Sequence, residues 1–258
     1  MNLPLKQKLK LIRQRIYASV GFRGHKPVGV FDHELGARIE SENKSIIVPS
    51  PLRWKLYKKG WAARIEQLKR EYGVGAHVKL RPGDTILDIG ANAGEFAYVA
   101  DEYGAKIFCV EPDPNVFACL QTNTAGLPDV YATETLIWKD ETELDFYSVP
   151  QSADSSVFAG GKGPALKKHA TTVENFCKAQ NIEHVNLLKC DAEGAEPEVL
   201  MGVGALWGRI DVFALDTGRE RKGKRTKEEC KALLADNGYD VIDEKFGKRL
   251  MTFGIRRG

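Results

Sequence analysis

From about residue 74 onward, short apolar runs alternate with segments of helical period. Strands separated by helices are driven into a mostly parallel sheet with helices on both faces. The runs at 85–89 (TILDI), 106–111 (KIFCVE), 130–137 (VYATETLI), 185–191 (VNLLKCD) and 211–216 (DVFALD) read as strands. Helices are expected at 94–103, from Pro114, and over 173–180, 195–201 and 226–237. ELDFYSV (143–149) alternates as an additional strand, and YDVIDE with RLMTFGIR reads as a closing strand pair. The segment 150–170 is rich in Ser, Gly and Lys, has no periodicity, and reads as a long loop.

The first 73 residues follow another pattern. Leu5, Leu9, Ile12, Ile16 and Val20 recur at helical spacing, and the stretch from His25 to Ser50 reads as short strands and turns. Ser50-Pro51 then has the form of an N-cap followed by proline at the first helical position. It opens a helix expected to end at Gly73, with Tyr57, Trp61, Ile65, Leu68 and Tyr72 on one stripe. The chain thus divides into a basic arm with a helical extension, 1–73, and a main domain, 74–258. Residues 1–31 hold seven Lys or Arg and no acid, so the net charge of +3 splits into +7 on the arm and −4 elsewhere. Such a body lacks a broad basic face, and no nucleic-acid partner is expected. No apolar run approaches the roughly 20 residues that span a bilayer, and the five cysteines form no CxxC pair. A cytoplasmic protein with reduced thiols is the expectation. Residues 1–26 as an amphipathic helix can contact an anionic membrane, or pack on the domain or on a second copy of the chain in a homo-oligomer.

The stretch Leu87-Asp88-Ile89-Gly90-Ala91-Asn92-Ala93-Gly94 lies between an expected strand and an expected helix. Gly90 and Gly94 permit close backbone approach, and Asn92 tolerates left-handed geometry. A ligand should bind here, at the carboxyl ends of the strands. A dinucleotide loop would read GxGxxG. The spacing here is GxNxG, and Asp88 two residues before it would repel a pyrophosphate. That carboxylate suits a ligand with an ammonium group, as in S-adenosylmethionine. Glu111 ends the next strand, where an acid accepts from ribose hydroxyls, and Pro112 and Asp113 turn the chain beside the adenine.

These blocks, LRPGDTILDIGANAGEFAYVA with VEPDPNVFACLQTN and VNLLKCDAEGAEPEVLMG, resemble the FkbM family of S-adenosylmethionine-dependent methyltransferases. The resemblance covers about residues 70–244. It implies a Rossmann-like class I methyltransferase fold, with a mostly parallel seven-stranded sheet and one terminal antiparallel strand. It also implies O-methylation of a hydroxyl on a sugar, glycan or other metabolite.

Methyl transfer is an in-line displacement, so the acceptor hydroxyl must be held and relieved of its proton. Asp191 and Asp216, at two strand ends, and Glu193 beside the first are the candidate catalytic acids. Three acids on that rim can also hold a magnesium-type divalent metal. His169 is a secondary candidate for the base. The run Arg219–Arg225 is either a solvated loop or a grip on an anionic acceptor. Trp138 either borders the adenine or belongs to the core. Two other readings stand beside small-molecule O-methylation: an RNA or protein methyltransferase, and a non-catalytic S-adenosylmethionine-binding scaffold at a membrane. Asp-Ala-Glu-Gly at 191–194 is unlike the Asn/Asp-Pro-Pro-aromatic clamp of base N-methylation, and the acids in reacting positions argue against a scaffold.

Overall fold

The computed structural model describes residues 4–149, 155–158 and 163–258. The chain opens with α1 (Leu5–Ser19) and an antiparallel sheet of β1 (Gly29–His33), β2 (Gly36–Ser41) and β3 (Lys44–Val48). Ser50 caps the next helical stretch, its Oγ accepting from Leu52 N at 3.3 Å. The single helix expected to reach Gly73 is instead a 3-10 stretch over Pro51–Tyr57 followed by α2 (Trp61–Glu71). Gly60 breaks it at φ 97°, backbone that glycine adopts freely. The apolar stripe survives the break, since Tyr57, Trp61, Ile65, Leu68 and Tyr72 are all buried. They share one hydrophobic cluster with Ile86, Phe96, Ile107 and Phe253, so the extension packs into the core of the main sheet.

The main domain runs β4 (Thr85–Ile89), α3 (Glu95–Tyr103), β5 (Lys106–Val110), α4 (Pro114–Thr124) and β6 (Val130–Thr133). Then come β7 (Leu136–Ile137), β8 (Thr142–Tyr147), β9 (Ala165–Thr171), α5 (Val173–Ala179), β10 (Val185–Cys190) and α6 (Glu196–Met201). It closes with β11 (Ile210–Asp216), α7 (Lys227–Asp236), β12 (Tyr239–Phe246) and β13 (Arg249–Arg256). The central sheet has the order β12-β13-β11-β10-β4-β5-β6, with β13 antiparallel to its neighbours. This is the doubly wound α/β, Rossmann-like architecture implied by the alternation. The chain winds from β4 out to β6, then returns to β10 on the other side of β4. A crevice therefore forms at the carboxyl ends of β4 and β10.

Two expectations change. The run 130–137 divides, and β7 leaves the main sheet to join a small one of order β7-β9-β8. Residues 165–170, expected within the long loop, belong to β9; residues 150–154 and 159–162 of that loop lie outside the described residues.

Candidate active site

The turn after β4 is shaped by close approach. Gly90, at φ 75°, lies so near β10 that a Cβ there would sit 2.0 Å from the Asp191 carbonyl oxygen. Asn92 adopts φ 52°, and its Oδ1 accepts from Ala93 N at 2.8 Å. Local bonding of this kind lets asparagine hold a left-handed position. Gly94 ends the loop at φ 85°, just before α3. Glu111, the first residue after β5, reaches across: Oε2 accepts from Asn92 N and Oε1 from Asp113 N, both at 2.9 Å. Burial raises its carboxyl to about 7, and the two backbone donors offset that only in part.

A cleft of about 470 Å³ opens over these strand ends, within the range of small-molecule sites. Gly90, Asn92, Glu111, Pro112, Asp191 and Glu193 line it, and Ile89, Val110 and Ile137 add apolar surface. Asp88, Gly94, Asp113 and Asp216 do not form its wall. Asp88 is fully buried below, paired through Oδ1 with Lys189 Nζ from the facing position on β10. Its Oδ2 has no hydrogen-bond partner among the described residues. Burial raises the Asp88 carboxyl and Lys189 pulls it partly back. Burial also disfavours the charged ammonium of Lys189, but Asp88 and Asp191 more than restore it. Asp113 caps α4 by accepting from Asn115 N at 2.9 Å. Its other oxygen accepts from the Ser148 and Ser155 hydroxyls at 2.7 Å each, anchoring the segment after β8.

The reacting end is organised by Arg249, the first residue of β13. Its guanidinium donates to Asp191 Oδ2, to Asp216 Oδ2 and to Glu71 Oε2. Tyr72 OH donates to the same Asp191 oxygen at 3.0 Å. Asp191 Oδ1 accepts no hydrogen bond from the described residues. Burial by itself would raise Asp191, yet Arg249 and Lys189 hold it below the ordinary aspartate range. Burial and the Asp191 charge push Asp216 up to about 6. Burial with both aspartates pushes Glu220 to about 11.

Asp191, Asp216 and Glu220 bring carboxylate oxygens within 4.8 Å of one another. Glu220 thus takes the place expected for Glu193, which lines the cleft instead. Arg249 sets one positive charge between the two aspartates. These three carboxylates are the ones a divalent ion at this rim would use.

Three secondary candidates lie off the cleft wall, although Glu220 of the run 219–225 joins the acid cluster behind Asp191. His169 is an exposed residue of β9 whose ring nitrogens lie 3.1 and 3.2 Å from Glu141 and Glu143. It is therefore not placed to act as the base. Trp138 is buried beside Phe158 in the core of the small sheet, outside the cleft wall. In the run 219–225, Arg221 Nε donates to Gly194 O at 2.7 Å and its Nη2 pairs with Glu198. None of that run lines the cleft. The free cation at the rim is Lys248, exposed and without an ion pair to any described residue. Sequence reasoning also missed Lys189, Tyr72, Arg249 and a buried node of Arg53, Arg64 and Glu95. Of these only Lys189 had a visible signal, two residues before Asp191 in the quoted block.

The model for the methyltransferase FkbM domain matches residues 88–241. The chain belongs to the FkbM methyltransferase family. Among curated relatives, 31-O-demethyl-FK506 methyltransferase FkbM of Streptomyces tacrolimicus is 27% identical over 203 residues, 65% of this chain and 77% of that protein. The 2-O-methyltransferase NoeI of Sinorhizobium fredii (strain NBRC 101917 / NGR234) is 26% identical over 141 residues, 47% of this chain and 58% of that protein. Among solved structures, a SAM-dependent methyltransferase from Aquifex aeolicus covers 80% of this chain and 94% of its own, at 15% identity and a TM-score of 0.44. That likeness carries no functional weight. The strand order itself is that of class I S-adenosylmethionine-dependent methyltransferases. The site residues fit that cofactor: a cradle at Gly90 that a Cβ would fill, an acid at the end of β5, and an unsatisfied Asp88 oxygen beneath the loop. Gly90, Asn92, Glu111 and Pro112 are the wall residues that would hold it.

Proposed function

We propose that this FkbM-family enzyme methylates a hydroxyl of a sugar, glycan or secondary metabolite, and that the acceptor is anionic. Asp191 carries the reading. One of its oxygens is held by Tyr72 and Arg249, while the other accepts from none of the described residues and can accept from a ligand on the wall shared with Gly90 and Asn92. When bound, S-adenosylmethionine supplies the electrophilic methyl group. Asp191 accepts the hydroxyl proton in a hydrogen bond and aligns the oxygen for attack, and positioning of this kind contributes much of the acceleration. Glu193, on the same wall, is a second carboxylate for the departing proton. Asp216 acts through Arg249 by holding the guanidinium against Asp191. Both relatives named above carry O-methyl chemistry in their names, which supports a hydroxyl acceptor. Lys248 at the rim supports an anionic one. Five free, buried cysteines are in keeping with a cytoplasmic setting.

The test is release of S-adenosylhomocysteine against a panel of hydroxylated acceptors, neutral and phosphorylated. Asp191→Asn should abolish turnover and leave cofactor affinity within a few-fold. Full turnover by that variant would place the reacting centre elsewhere. Tight cofactor binding with no turnover on any acceptor would favour a scaffold.

A further inference from the structure

The N-terminal helix shows its apolar face to solvent. At about 100° per residue, Leu5, Leu9, Ile12 and Ile16 fall within an arc of about 60°, and Leu11 and Gln14 fall on the other side. The second set is the one that packs. Leu11 joins the main hydrophobic cluster, and Gln14 Nε2 donates to the Lys26 and Lys58 carbonyls at 2.9 Å each. Leu5, Leu9, Ile12 and Ile16 are 74%, 58%, 53% and 58% exposed. With Val20 they make up five of the ten large apolar side chains exposed among the described residues, so this is a patch and not scatter.

Cations border the patch on both edges. Lys6, Lys10 and Arg13 lie along one and Lys8 and Arg15 along the other, all exposed. Residues 4–31 contain no acid. The body extends the same charge: after burial, the cations of Lys55, Lys10 and Arg13 lower the pKa of Lys58. Beside them lies a groove of about 940 Å³ whose lining holds Lys55, Lys58, Lys59, Arg70 and Lys245 against two acids, Glu66 and Glu71. It shares Leu56, Arg64, Gln67, Glu71 and Phe246 with the catalytic cleft.

We propose that this face docks on an anionic lipid bilayer, with the stripe of α1 among the acyl chains and the flanking cations on headgroup phosphates. Amphipathic helices with this division of charge and apolar surface lie in the membrane interface. Charge decides between occupants. A second copy meeting the face through a twofold axis would set cations against cations, with no acid on either arm to answer them. Anionic headgroups answer them directly.

Flotation of the full chain with vesicles of phosphatidylglycerol and phosphatidylcholine, and of phosphatidylcholine alone, tests this at low and moderate salt. The expected result is binding to the anionic vesicles at least about tenfold above the neutral ones, weakened by salt. Lys6→Gln should lower partitioning about fivefold. The double variant Leu9→Asp with Ile16→Asp should stay in solution with an unchanged thermal midpoint, since both side chains already face water. A wild-type chain that ignores anionic vesicles at low salt overturns the proposal. So does light scattering that shows a dimer which the double variant turns into a monomer, because the stripe is then a subunit contact.

Discussion

Replacing Glu95 with glutamine should loosen the N-terminal extension from the cofactor loop. Glu95 is the first residue of α3 and is buried. Its Oε1 accepts from Tyr57 OH at 2.6 Å and from Arg64 Nε at 3.0 Å. Its Oε2 accepts from Arg64 Nη2 at 3.2 Å and lies 3.6 Å from Arg53 Nη2. Burial alone would raise this carboxyl, but Arg64 and Arg53 outweigh burial and hold it at about 2, against an ordinary 4.5. That gap corresponds to about 3 kcal/mol of stability. Because the folded value is the lower one, the contribution is complete above about pH 5 and is lost as pH falls toward 2. Glutamine keeps the shape but leaves Arg64, only 7% exposed, without its carboxylate. Breaking a buried pair in this way costs about 3–5 kcal/mol. Urea unfolding followed by tryptophan fluorescence suits the question, since Trp54 and Trp61 are buried in the same part of the core. At pH 7 the variant should be about 3 kcal/mol less stable, and the gap should narrow by about 1 kcal/mol at pH 3.5. A variant within about 1 kcal/mol of wild type at pH 7, or a gap indifferent to pH, would refute the reasoning.

Asp88→Ala should destabilise by about 3–5 kcal/mol by stranding buried Lys189, and adding Lys189→Met should recover most of the loss. Thermal melts of the single and double variants check this, and full stability of the single variant would mean the pair is unimportant. Cofactor affinity, followed by calorimetric titration, should rise between pH 6 and 8 with a midpoint near 7, as Glu111 ionises and becomes a pure acceptor for hydroxyl donors. In Glu111→Gln that dependence should flatten and affinity should drop about ten- to a hundredfold. Lys248→Gln should raise KM for an anionic acceptor about fivefold with kcat unchanged, as expected for an exposed charge that binds without taking part in chemistry.

The main sheet was legible because its inner parallel strands are buried on both faces. β4, β5, β10 and β11 are near-continuous apolar runs bounded by turn residues, and such runs announce themselves locally. The cofactor loop was legible because Gly90, Asn92 and Gly94 are residue types that adopt left-handed backbone, and they take φ 75°, 52° and 85°. The acid cluster was half legible. Asp191 and Asp216 could be placed at strand ends, but Arg249, which joins them, lies 58 residues from Asp191 in the chain and 178 from Glu71. No spacing rule connects residues that meet only when β13 inserts beside β11. Gly60 escaped because the apolar stripe on either side of it remains in phase across the break.

Asp88 and α1 show a deeper limit, since one was read from its place in a motif, the other from periodicity, and both turn on neighbours. A carboxylate two residues before the glycine loop suggested a partner for the ammonium of a bound cofactor. The parallel register instead sets Lys189 directly across from it, and a cation supplied by the fold claims Asp88 Oδ1 before any ligand arrives. Asp88 Oδ2 has no hydrogen-bond partner among the described residues. For α1, periodicity located an apolar face correctly but could not say what it meets. Burial of Gln14 against two carbonyls chose the opposite face for the core, because two satisfied hydrogen bonds and Leu11 were available there. The apolar residues were thereby left outward with cations around them. An amphipathic pattern specifies a division of surfaces, and only the rest of the fold decides which surface is inside.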